Sequence, residues 1–305
     1  MIVDARVRLP QALRPPLDAG SAELLADYGA VFDSDVGRDG DALLRELDEA
    51  GVDHAIVHAE YESGDHADAL NEAVAALVAA HPQRLSGFGT VTLAPLRPGR
   101  TLAQLRRVER YGLKGVNVQP AFFDLAIDDR RLYPLYAAAE ESGLVVGLHT
   151  GVNYSRRHAI RGERPELLDQ VACDFPGLTL VACHAGWPWA TEMAAVARRH
   201  PTVLLDFGGI APKYLGQPGS GWDVLMRYVA KLLSRQAMFA TDWPVFPHAR
   251  ALAEWRALGL EEDVLAAVLG GNAARLLGLA TSGDDDAVGA GAAAGGTAAA
   301  TEGTR

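Results

Sequence analysis

Two cysteines in 305 residues, Cys173 and Cys183, are too few for a disulfide framework and lack the paired spacing of a zinc ribbon. The chain is therefore expected to fold on its hydrophobic core in a reducing, cytoplasmic setting. No run of 18 or more uncharged apolar residues occurs, and the opening Met1-Ile2-Val3-Asp4-Ala5-Arg6 carries no signal-like apolar region, so neither a membrane span nor export is expected. Positive charge is in short supply: 28 Lys and Arg against 39 Asp and Glu leave −11 at pH 7. An acidic body gives no electrostatic footprint for nucleic acid or an anionic membrane. No Gly-x-Gly-x-x-Gly turn follows the first predicted strand and no Gly-Lys-Ser/Thr occurs, which removes support for the nucleotide-binding α/β folds.

The rest of the composition, 49% hydrophobic and 22% charged, is that of a chain able to bury a large core. Short apolar runs bounded by Gly, Pro or Asp predict eight strands, at 2–8, 52–59, 85–93, 113–118, 144–149, 178–184, 203–207 and 238–242. Stretches with helical spacing lie between them, among them 67–80, 132–142, 188–199 and 222–233, each long enough for a crossover between parallel strands. Strands five and six are apolar on both faces, as expected where helices cover one side and a barrel interior the other. The expected fold is α/β, a TIM-type (β/α)8 barrel forming one domain over 1–280, followed by a disordered Ala/Gly-rich tail at 281–305.

In such a barrel the active site lies at the C-terminal ends of the strands. His149 ends the fifth predicted strand, His184 the sixth and Asp242 the eighth. Imidazoles and a carboxylate converging on one mouth either hold a divalent metal or move protons, because both groups do both. His58, near the end of the second strand, is a minor candidate; His81 and His200 precede prolines in helix-ending contexts, and His248 reads as surface. Lys213 and Tyr214, just beyond strand seven, either clamp an anionic substrate or form an exposed loop. Trp187 and Trp243 flank the site as an aromatic wall, and Asn117 offers a neutral hydrogen bond from strand four. Tyr154, Arg156, Arg157 and Arg161 follow strand five in a loop long enough for a lid.

The segments Leu148-His149-Thr150-Gly151, Ala182-Cys183-His184-Ala185-Gly186 and Ala240-Thr241-Asp242-Trp243-Pro244 resemble strand motifs of the amidohydrolase-related superfamily, in the branch of the aminocarboxymuconate-semialdehyde decarboxylases and their hydrolase cousins. Gly112-Leu113-Lys114-Gly115-Val116 and the closing Gly271-Asn272-Ala273-Ala274-Arg275 support the likeness. The resemblance implies a barrel with a divalent metal, usually zinc, in which His149 is a ligand, Asp242 a ligand and proton-transfer group, and His184 a polariser or acid/base.

The family's first strand ends in His-x-His, and here those positions read Arg6-Val7-Arg8. A guanidinium has no acceptor lone pair at working pH and cannot replace an imidazole ligand. Two arginines in that place either bind a substrate carboxylate or neutralise Asp4, Asp206 or Asp242 in a buried ion-pair network. Three readings follow. The first is a metal-independent hydrolase of a small carboxylated lactone, ester or amide, with non-oxidative decarboxylation of a carboxylated ring as its variant. The second keeps a metal, zinc or manganese, weakly bound by His149 and Asp242 with or without His184, and the third is an inactive barrel that binds an anion. A homo-oligomer is compatible with all three.

Overall fold

The computed structural model describes residues 1–14, 39–59, 66–153, 155 and 157–280. The predicted tail at 281–305, together with Tyr154 and Arg156 of the predicted lid, lies outside the described residues. Strands β1 (Val3–Arg8), β2 (His54–His58), β3 (Leu85–Gly89), β4 (Gly115–Val118), β5 (Val145–His149), β6 (Leu180–Cys183), β7 (Val203–Asp206) and β8 (Ala237–Met238) pair in sequence order, every neighbour parallel. Closure between the last strand and the first comes from Ala5 N donating to Phe239 O (2.9 Å), Asp242 N to Arg6 O (2.9 Å) and Arg8 N to Trp243 O (2.9 Å). The result is the expected (β/α)8 barrel.

Helices fill the connections: α1 (Gly40–Ala50), α2 (Ala67–Ala80), α3 (Pro98–Arg110), α4 (Tyr133–Ser142), α5 (Pro165–Asp174), α6 (Ala190–Arg199), α7 (Asp223–Val229), α8 (His248–Arg256), α9 (Glu262–Ala266) and α10 (Asn272–Leu277). Local sequence sets their ends. The Asp39 carboxylate caps α1 by accepting from Ala42 N, and Gly51 ends the helix in the left-handed region, where a Cβ would be strained. No described helix is long and apolar enough to cross a membrane.

Apolar residues sort into two layers. One lies between strands and helices; the other fills the barrel with Val3, Ala5, Ile56, Phe88, Val145, Val181, Leu204 and Met238, plugged at the strand N-termini by Ala273, Ala274 and Leu277 of α10. Gly115 is required where β4 meets β5, since a Cβ there would lie 2.3 Å from the Val145 carbonyl oxygen.

The first strand breaks the simple alternation. Asp4 pairs with Ala55 and Val7 with Val57, so three steps on β1 match two on β2, which is a β-bulge. The extra residue lets Val3 and Ala5 face the interior and still leaves Arg6 and Arg8 facing it too, while Val7 and Leu9 pack in the outer layer. Several predicted strands run past the observed ladders because side chains take over the backbone. Thr90 N donates to Asn71 Oδ1 (2.7 Å), ending β3, and Thr241 N donates to Asp4 Oδ1 (3.1 Å) beyond β8.

Candidate active site

The strand C-termini bring Arg6, Arg8, His149, His184, Asp206 and Asp242 to one end of the barrel. Arg8 forks onto Asp242, Nε to Oδ1 at 3.0 Å and Nη2 to Oδ2 at 2.8 Å, and both residues are buried. Arg6 donates from Nε to Asp206 Oδ2 (3.0 Å) and from Nη2 to Asn117 Oδ1 (3.1 Å) and Cys183 Sγ. Of the two sequence readings of these arginines, the buried ion-pair network is what the geometry displays. Burial alone would push the Asp206 and Asp242 carboxyls up, but the facing guanidiniums of Arg6 and Arg8 override it and hold both below the ordinary carboxylate value. Burial likewise opposes the charge on Arg6, and Asp206 with its neighbours restores it.

His184 sits against this network with its Nδ1 2.6 Å from the Gly208 carbonyl oxygen. A carbonyl only accepts, so Nδ1 carries the proton and Nε2 keeps a lone pair. Burial first, and then His149, lower its pKa to about 4, which leaves the imidazole neutral at pH 7. The His149 ring packs edge-on against it, centroids 4.7 Å apart. Behind His149, Oε1 of the buried Glu163 lies 2.5 Å from Nδ1, within ion-pair reach although off the line of a hydrogen bond, and Asn153 donates to the other carboxylate oxygen. Asp242 (φ 56), His184 (φ 62) and Ala185 (φ 47) all adopt the left-handed region, uncommon for residues with a Cβ. Such strain gathers at functional sites when neighbours hold it in place. Here Asp206 accepts from His184 N (3.3 Å) and Arg6 O from Asp242 N (2.9 Å).

A cleft of about 440 Å³ adjoins this cluster, lined by Trp187, Gly209, Ile210, Tyr214, Trp222 and Phe246 among others. A Cβ on Gly209 would lie 3.1 Å from His184 Nδ1 and 3.4 Å from Asp242 Oδ2, so this lining residue separates the cleft from both groups with no side chain of its own.

A family model described as Amidohydrolase matches residues 11–279. The chain belongs to the amidohydrolase family. Its structure is similar to an uncharacterized TIM-barrel protein from Bordetella bronchiseptica, at 28% identity and TM-score 0.71, covering 91% of this chain and 98% of that one. It is also similar to 5-carboxyvanillate decarboxylase from Sphingomonas paucimobilis, at 24% identity and TM-score 0.67 over 92% and 99% of the chains. A third likeness is to a probable 2-pyrone-4,6-dicarboxylic acid hydrolase from Acinetobacter baumannii with citric acid bound, at 16% identity and TM-score 0.62 over 91% and 99%.

Within this amidohydrolase barrel the other sequence candidates are placed unevenly. Trp187 and Tyr214 line the cleft; Lys213 is exposed at its rim, its Nζ 4.9 Å from the Tyr214 ring centroid. Asn117 is committed to Arg6 inside the barrel. Trp243 faces away from the mouth, buried in the outer layer with Nε1 donating to Glu46 (2.9 Å). Contrary to the surface reading, His248 is buried, its Nε2 3.1 Å from the outward-turned Asp4. His58 lies inside, its Nε2 3.0 Å from the Ala5 carbonyl oxygen.

Two groups at the mouth escaped the sequence reading as site residues. Asp206 ends β7 and was open to the same strand-end argument that singled out His149. Glu163 lies in a loop far from any strand end and carries no local signal.

The donor set at the mouth does not fit the resident divalent metal that the family resemblance implies. Arg6 and Arg8 stand where two imidazoles would be, and Arg8 covers both oxygens of Asp242. Among the described residues, His149, His184 and Asp242 do not bring donor atoms within 4.8 Å of one another, whereas Asp169, Cys173 and His200 outside the barrel do.

Buried His58 and half-buried His184 make a prediction for stability. Burial, and then Arg6, hold His58 down to about 3, and His184 stands at about 4, against 6.5 for a free imidazole. Between pH 6.5 and these values the unfolded chain binds protons that the folded chain refuses, so stability present above pH 6.5 is lost as pH falls through the window. Chemical denaturation across pH 7 to 4 should show this slope, and His58→Gln should flatten it; an unchanged slope in the variant would clear His58 of the effect.

Proposed function

We propose that this amidohydrolase-family protein is a metal-independent hydrolase of a small carboxylated lactone, ester or amide. The observation that carries the reading is the His184 imidazole, neutral at pH 7 and pinned through Nδ1 to the Gly208 carbonyl, with a lone pair on Nε2. It takes a proton from water as the water attacks the substrate carbonyl. Asp242, kept ionised by the Arg8 fork, is the weaker base of the two; its charge supports the imidazolium that forms. Arg6 spends Nε and Nη2 on partners inside the barrel, so it binds a substrate anion with Nη1. Arg6 Nη1 has no hydrogen-bond partner among the described residues. The likeness to a hydrolase named for a dicarboxylated pyrone supports this substrate class.

A second reading, non-oxidative decarboxylation, is favoured by the likeness to 5-carboxyvanillate decarboxylase. There the imidazole first takes a proton from water and then passes it to the ring carbon as the carboxylate leaves as carbon dioxide. A panel of carboxylated lactones and carboxylated phenols in 18O-water separates the two. One solvent oxygen in the product without carbon dioxide release is expected, with activity unchanged by chelator and metal content unchanged by His149→Ala. Carbon dioxide release without oxygen incorporation would overturn the hydrolase reading in favour of the second, and metal lost together with activity on His149→Ala would overturn metal independence.

A further inference from the structure

On the outside of the barrel, Asp169 and Cys173 project from α5 one helical turn apart, and His200 follows the last residue of α6. His200 Nε2 lies 2.8 Å from Asp169 Oδ1 and 4.0 Å from Cys173 Sγ, and the three donor atoms all fall within 4.8 Å of one another. A tetrahedral zinc with bonds of about 2.0 to 2.3 Å sets its ligand atoms roughly 3.3 to 3.7 Å apart. Shifts well under an ångström in two side chains would reach that shape. The frame that holds them is stiff. Gln236 Nε2 donates to the backbone oxygens of Ala197 (2.7 Å), His200 (3.1 Å) and Val203 (2.7 Å), fixing the turn from which His200 projects.

We propose that Asp169, Cys173 and His200 form a surface binding site for zinc, separate from the barrel mouth, which ties the C-terminal end of α5 to the turn between α6 and β7. A thiolate, an imidazole and a carboxylate together suit a borderline-soft ion and not magnesium or calcium, which take oxygen donors. On binding, the Cys173 thiol releases its proton to solvent, and water fills the fourth position. One cation already competes for the place: Arg199 Nη1 contacts both Asp169 oxygens, at 2.8 and 2.7 Å. That side chain is 60% exposed, so zinc displaces it into water at little cost.

Cys173 is exposed and Cys183 is buried, so a thiol reagent applied to the native protein reads Cys173 alone. The full-length protein, stripped with chelator and kept reduced, is titrated with zinc while alkylation of Cys173 by iodoacetamide is followed. One equivalent of zinc should protect the thiol and raise the thermal midpoint, and cobalt in its place should give a near-ultraviolet thiolate-to-metal band. His200→Ala should lose the protection, His149→Ala should keep it, and Arg199→Ala should saturate at lower zinc. Equal alkylation rates with and without zinc, or protection abolished by His149→Ala and kept in His200→Ala, would overturn the site.

Discussion

Arg6→Met is expected to lower the unfolding free energy by about 3–5 kcal/mol, the usual consequence of stranding a buried charge. Asp206 would lose the guanidinium that faces it at 3.0 Å and would be left with neutral donors such as the backbone amides of His184 and Gly208. Both members of the pair are 5% exposed or less, so water cannot step in. Against a typical net stability of 5–15 kcal/mol this is a large fraction, on the order of a 10 °C drop in midpoint. Removing both charges, Arg6→Met with Asp206→Leu, should recover much of the loss, because the desolvation cost disappears together with the attraction. A double variant no more stable than Arg6→Met would show that the cost came from lost packing around the long side chain and not from the orphaned carboxylate.

The largest effect on activity should come from His184→Asn. An asparagine amide can still donate to the Gly208 carbonyl in place of Nδ1, so the fold and the left-handed turn at 184 keep their anchor, while the base at Nε2 is gone. The expected fall in kcat is about 10²- to 10⁴-fold with little change in thermal midpoint, the range typical of a lost general base. In the wild type, kcat/KM should rise with pH through an acid limb near 4, the value at which burial and His149 place the imidazole, and not near 6.5. The residual activity of the variant should lack that limb. Near-full activity in His184→Asn, or an acid limb at 6.5 in the wild type, would remove His184 as the base.

How much of this could be read in advance differs from feature to feature. The eight strands were legible because a parallel barrel strand is buried on both faces and appears as an uninterrupted apolar run, as in Val145–His149 and Leu180–Cys183. Helix 67–80 was legible from its apolar period. Strand ends were less so, since residues such as Thr90 and Thr241 turn to side-chain partners that no local pattern announces. Trp243 and His248 show the limit from another side. Their positions beside the strand-eight motif suggested the mouth and the surface, yet Asp4 and Glu46, over 190 residues earlier, draw both into the packed outer layer.

The arginine substitution at 6 and 8 is a property of the sequence alone, and so is the loss of two imidazoles from the first strand, because no conformation gives a guanidinium a lone pair at neutral pH. What the arginines do was decided only by the tertiary structure. A bulge in β1 turns both into the barrel, and closure of the barrel brings Asp206 and Asp242, 200 and 234 residues away, to within 3.0 Å of them. The state of His184 is a tertiary outcome as well. Its neutrality comes from burial beside His149 and its tautomer from the carbonyl of Gly208, and the low dielectric and the fixed acceptor that set them exist only once strands five to eight lie side by side.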